Sequence, residues 1–126
     1  MLKVLLIGIG GSFGALARYG LSGLAHRWVS TSFPLGTLLV NTLGCIVIGG
    51  TMCLVEERQF LSAEMRLLLL IGFLGSFTTF ATFGYETFEM LRARETWTAA
   101  WNVALNVVLG AGSVAVGWMA VKALRI

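Results

Sequence analysis

The sequence predicts an all-α membrane protein built from four transmembrane helices, and three observations carry that prediction. Of its 126 residues, 57% are apolar and only 12% are charged, whereas soluble domains average about twice that charged share. The mean hydropathy is +0.87, more apolar surface than a soluble chain of this size can hide. The apolar residues are also gathered into four stretches, each close to the roughly 20 residues that cross a hydrocarbon core about 30 Å thick.

The first helix is expected over residues 4–25. Lys3 followed by an apolar run is how a secretory leader begins, but there is no clean small-residue cleavage site and the run continues past Arg18, which reads as a retained helix. The second helix is expected over 35–55, opened by Pro34, the only proline, at a first-turn position where a missing N–H costs nothing. The third is expected over 67–88 and the fourth over 97–121, with short polar connections. Trp28, Phe33, Phe60, Tyr85, Phe88 and Trp97 stand near the ends of these stretches, where amphipathic rings favour the membrane–water boundary. No linker or low-complexity tract divides the chain, so residues 1–126 read as a single transmembrane domain.

Several function classes fall away. The nine basic residues are scattered, with no basic stripe of the kind that holds nucleic acid. Cys45 and Cys53 lie inside an apolar run and read as inert core thiols, and His26 reads as a solvated loop residue without ligand spacing. No nucleophile–base pair is in sight, which argues against an enzyme.

Orientation is weakly encoded. With four spans, Lys3, Arg58, Arg66, Lys122 and Arg125 share one side; Arg27, Arg92 and Arg94 lie on the other, with Arg18 leaning toward it. So slight a bias fits either one orientation or insertion in both, which would allow an antiparallel dimer.

The third helix is expected to break near its middle. Gly72 and Gly75 precede Ser76-Phe77-Thr78-Thr79-Phe80-Ala81-Thr82-Phe83-Gly84, a run of poor helix formers. Unpaired backbone at membrane depth survives only when buried in protein or lining a wet cavity, and such breaks often mark ion sites. A kinked continuous helix, its threonines bonded to their own carbonyls, is the alternative. The second and fourth helices each carry one polar face: Thr37, Asn41, Gly44 and Thr51 on one; Asn102, Asn106, Gly110 and Ser113 on the other. These faces point inward, either as inter-helix glue or as pore lining. Gly10 and Gly14 have small-residue packing spacing. Arg18 part-way along the first helix either snorkels or faces a watery vestibule that would attract anions. No carboxylate sits mid-helix; Glu86, near the end of the third helix, comes closest, and the other five acids read as loop residues. Phe80 and Phe83, three apart, either pack or turn their electropositive edges toward a small anion.

Gly10-Gly11-Ser12-Phe13-Gly14-Ala15 with Arg18-Tyr19, Gly36-Thr37-Leu38-Leu39-Val40-Asn41, and Gly72-Phe73-Leu74-Gly75 leading to Thr78-Thr79-Phe80-Ala81-Thr82-Phe83 and Glu86 together resemble the Fluc (CrcB) fluoride channels. The resemblance spans the whole chain. It implies an antiparallel, dual-topology homodimer in the bacterial inner membrane, with two pores that pass fluoride passively out of the cytoplasm and exclude chloride. By the same resemblance Phe80 and Phe83 match the paired pore phenylalanines, and Asn41, Thr37, Thr79, Thr82 and Glu86 match the pathway around them. Arg18 matches the vestibule arginine. Gly75 and Thr78 match the positions whose backbone carbonyls hold a structural sodium ion at the dimer interface. Asn102 and Asn106 take positions that vary among polar residues. Ala81 and Gly110 depart from the usual serines, removing hydroxyls from the polar track.

Two other classes share the small size. A dual-topology multidrug exporter would need a carboxylate in the first helix, where this chain has Arg18. A non-conducting accessory subunit would leave the polar broken helix without a purpose.

Overall fold

The computed structural model describes residues 1–124; Arg125, counted above in the charge balance, lies outside the described residues. The chain is all-helical, with four spans long and apolar enough to cross a membrane. Helix α1 covers Leu2–Trp28 and α2 covers Leu35–Glu56. The third span is composite: α3 occupies residues 63–77 and α4 occupies Phe80–Arg92. Helix α5 covers Thr96–Ala123.

Each span reaches past its apolar stretch because polar turns continue the helix. His26 and Arg27 form the last turn of α1 rather than a loop, where positive charge complements the helix dipole. Pro34 precedes α2 as its N-cap instead of occupying the first helical position. Ser62 caps α3 by accepting from the Met65 amide at 3.3 Å, so the third span starts at Ala63 rather than at residue 67. It runs on to Arg92, beyond the expected 88. Glu64 and Glu89, expected in loops, therefore sit in helical turns.

The third span changes winding twice. Ala63–Arg66 is α-helical, Leu67–Leu74 is π-helical and Gly75–Phe77 is α-helical again. The helix then stops for two residues: Thr78 (φ −80°, ψ 155°) and Thr79 (φ −147°, ψ 115°) are extended. Thr79 restarts it as the N-cap of α4, its hydroxyl oxygen accepting from the Thr82 amide at 3.2 Å.

Glycines set how closely the spans approach. A Cβ on Gly10 would strike the carbonyl oxygen of Leu68, and one on Gly14 that of Phe73, so α1 lies backbone to backbone against the π-helical segment. Gly49 on α2 and Gly117 on α5 stand in the same relation to the carbonyls of Val114 and Ile46. Small residues at such crossings are how membrane helices gain packing contact without a hydrophobic drive between them. Gly44 leaves room for the Thr78 methyl, which seats the interruption against α2. The two cysteines are free thiols on α2, Cys53 buried and Cys45 half-buried. Most large apolar side chains point outward, as they do where the surroundings are lipid.

Candidate functional site

Two polar features converge on the interruption in the third span. The first is the Asn41 carboxamide on α2. Its oxygen accepts from the Thr79 amide at 2.9 Å, and its nitrogen donates to the Thr79 carbonyl at 3.2 Å. One side chain thus pairs both backbone groups of an extended residue, as a neighbouring strand would. Left unpaired at this depth, each group would cost about 1–3 kcal/mol. Asn41 pairs them without closing the helix, and this sustains the interruption.

The same nitrogen donates to Asn106 Oδ1 at 3.2 Å, extending the contact to α5. Asn106 Nδ2 donates to the carbonyl oxygen of Asn102 at 2.9 Å and to its Oδ1 at 3.1 Å. Asn102, wholly buried, donates through Nδ2 to Thr87 Oγ1 at 2.9 Å. The Thr87 hydroxyl then donates to the Phe83 carbonyl at 2.8 Å. A continuous relay joins α2, α5 and α4, beginning at Thr79 and ending at Phe83. The polar faces of the second and fourth helices meet here. Thr51 is not part of that meeting: its hydroxyl turns back to the Val47 carbonyl at 2.8 Å.

The second feature is the pair Thr37 and Glu86. The buried Thr37 hydroxyl donates to Glu86 Oε1 at 2.7 Å. The other carboxylate oxygen, Oε2, is buried without a partner among the described residues.

Two hollows flank these groups. A recess of about 680 Å3 is lined by Arg18, His26 and Arg27 together with Thr37, Thr79 and Thr82. Arg18 and Arg27 line it with no acid beside them among the described residues, and Glu86 stands behind Thr37. A groove of about 380 Å3 on the other side is lined by Asn41, Gly75, Thr78, Phe80, Phe83 and Asn106, with apolar neighbours. Thr79 belongs to both walls. Within the groove the Phe80 and Phe83 rings lie 5.5 Å apart, tilted by 53°. Phe80 is 82% exposed, so nothing in one chain covers it. The Thr79 hydroxyl donates to that of Thr82 at 3.0 Å at the edge of the recess.

The interruption leaves backbone carbonyls open. The Thr78 amide and hydroxyl both turn back to the Leu74 carbonyl, at 3.1 and 3.0 Å. The carbonyls of Gly75 and Thr78 accept no amide among the described residues. No group of three or more His, Cys, Asp or Glu side chains that could hold a metal occurs among the described residues either. A cation here would meet neutral oxygens, a donor set suited to a hard monovalent ion rather than to a transition metal.

Of the residues singled out from the sequence, Arg18, Thr37, Asn41, Gly75, Thr78, Thr79, Phe80, Thr82, Phe83, Glu86, Asn102 and Asn106 lie in the relay, in the Thr37–Glu86 pair, or in the wall of one of the two hollows, whereas Thr51 and Ser113 do not. Sequence reasoning missed Thr87. Its only signal is a position four residues after Phe83, and its importance depends on which face of α4 meets α5.

Residues 5–118 match the family described as CrcB-like protein, Camphor Resistance (CrcB). A protein of Maridesulfovibrio salexigens named fluoride-specific ion channel FluC is 42% identical over 126 residues, covering 97% of this chain and all of that one. Proteins of the same name are 46% identical over 79% of both chains in Nitratidesulfovibrio vulgaris, and 40% identical in Hydrogenovibrio crunogenus over 93% of this chain and 89% of that one.

Proposed function

This chain belongs to the CrcB family, and from that premise we propose that it is a passive, fluoride-selective ion channel of the cell membrane that relieves the cytoplasm of fluoride. The single observation that carries the reading is the site itself. A helix interrupted within a span is held open by Asn41, with an arginine-lined recess on one side and a phenylalanine-lined groove on the other. Fluoride is small and strongly hydrated, so a selective path needs narrowness and donors that replace water without trapping the ion. Arg18 gathers anions into the recess. The Thr79 and Thr82 hydroxyls lead onward to the rings of Phe80 and Phe83, whose edges carry partial positive charge. Asn41, Asn106 and Asn102 line or support that path, and Thr37 with Glu86 stands at its recess end.

The functional unit is an antiparallel homodimer of dual topology. Three things support this: the weak charge bias, the open groove, and the exposure of Phe80, which a second copy would cover. The Gly75 and Thr78 carbonyls of two such copies would hold a sodium ion, which supplies a fixed positive charge and ties the protomers together. The exporter alternative loses ground because the recess is lined by arginines and α1 carries no acid.

Proteoliposomes containing only this protein should release fluoride when the membrane potential is relieved, while chloride stays near background. Equal release of the two halides would end the selective reading, and release of neither would end the channel. Arg18→Gln should slow fluoride release about threefold to tenfold at low ionic strength, because charged clefts raise local ion concentration by at least that much. The difference should shrink as salt approaches 1 M, where the Debye length falls to about 3 Å. An Arg18→Gln effect independent of salt would mean that the guanidinium acts by contact instead of by its field.

A further inference from the structure

We propose that Thr87 and Asn102 are positioning residues that fix the polarity of the whole amide relay and so hold Thr79 and Phe83 in register; the flux part of this proposal rests on the channel reading above. A carboxamide can present either its oxygen or its nitrogen to a neighbour. In this relay neither choice is free, because both ends are anchored in backbone.

At one end the Thr79 N–H can only donate, so Asn41 must turn its oxygen to it at 2.9 Å. Asn41 then offers its nitrogen to Asn106, which must answer with its oxygen. Asn106 is left with its nitrogen facing Asn102, which must present oxygen. Asn102 in turn faces Thr87 with its nitrogen, and the hydroxyl must accept. At the far end the Phe83 carbonyl can only accept, so it takes the single Thr87 proton. The chain of choices closes without conflict.

Both hydrogens of Asn41 Nδ2 have acceptors, on Thr79 and Asn106, and both hydrogens of Asn106 Nδ2 face oxygens of Asn102. The relay is therefore not a row of idle donors awaiting an anion. It is a brace that ties the two ends of the Thr79–Phe83 segment to α2 and α5. Thr87 is its last side chain, accepting from Asn102 and donating to the Phe83 carbonyl. Without the hydroxyl, Asn102 loses the partner for its nitrogen inside a fully buried site. Flipping its carboxamide sets nitrogen against the nitrogen of Asn106, so a partner is regained only if Asn106 flips as well, which passes the mismatch on to Asn41.

The test is a graded series at one position: Thr87→Ser keeps the hydroxyl, Thr87→Cys leaves a weak acceptor, and Thr87→Val leaves none. Hydrogen exchange at the Thr79 amide, read by NMR on the whole protein in detergent, should accelerate in the order Ser, Cys, Val. Losing one hydrogen bond's worth of support predicts about tenfold faster exchange in Thr87→Val. Fluoride efflux should fall in the same order, by about fivefold in Thr87→Val, with Thr87→Ser near the unaltered protein. Unchanged Thr79 exchange across the series overturns the proposal, and so does a Thr87→Ser variant as impaired as Thr87→Val. If the unaltered protein carries no fluoride, the channel reading fails, and the exchange series alone still judges the brace.

Discussion

Gly117→Ala is expected to cost the protein much of its stability, although it adds a single methyl group. The added Cβ would collide with the carbonyl oxygen of Ile46 on α2, and Gly49 stands in the reciprocal position against the Val114 carbonyl. These neighbours are backbone, so no side-chain rotation makes room. These two spans, the most extensively packed pair, must separate or slide, and the contacts near the crossing loosen with them. Overpacking of this kind costs about 1–3 kcal/mol. The rigid partner places Gly117→Ala at the upper end of that range, or about 10 °C of unfolding midpoint for a chain of this length. Gly112 on the same helix is the control, since a Cβ there meets nothing within 4 Å. Gly112→Ala should be neutral or slightly stabilising, because alanine is the better helix former. The measurement is the thermal midpoint in detergent for both variants. Equal midpoints would show that the α2–α5 crossing tolerates a wider spacing than the structure has.

The four spans were legible because membrane crossing leaves a crude signal, the length of an apolar run, and nothing in this chain obscures it. The ends were less legible for the same reason. Ser62, His26–Trp28 and Glu89–Arg92 continue or cap helices in polar sequence, which an apolar-run criterion cuts away. The interruption at Thr78–Thr79 could be anticipated from Gly75 and the threonine pair, which resist helical packing. The π-helical winding of Leu67–Leu74 could not. A run of leucines has no preference for it, and the close approach of Gly10 and Gly14 to the Leu68 and Phe73 carbonyls belongs to tertiary packing.

The asparagines show the same divide. Spacing placed Asn41, Asn102 and Asn106 on inward faces, but left glue and pore lining equally open. The structure joins them into one relay with Thr79 and Thr87. That relay is glue of a particular kind, because what it holds is the unpaired backbone beside the groove. Thr87 entered only with three-dimensional contact, since an isolated threonine in an amphipathic helix carries no sign of its partner.

Phe80→Ile with Phe83→Ile is expected to give the largest loss of function short of unfolding. Both rings line the groove, 5.5 Å apart and tilted by 53°. An edge carries partial positive charge without a formal charge, so it stabilises a partly dehydrated anion and still releases it. Isoleucine keeps the bulk and loses the quadrupole. With each edge contributing about 1 kcal/mol, comparable to an aromatic pair contact, each substitution slows fluoride efflux about fivefold and the pair about twentyfold to fiftyfold. Protomer folding should be spared, because Phe80 is 82% exposed and neither side chain belongs to the relay. Proteoliposome efflux and the detergent thermal midpoint should therefore separate, the first falling steeply and the second holding. Chloride release is expected to stay at background, since isoleucine adds neither width nor donors to the path. Full fluoride flux in the doubly substituted protein would remove the rings from the pathway and leave it to the Thr79 and Thr82 hydroxyls, the Asn41 and Asn106 carboxamides and Arg18.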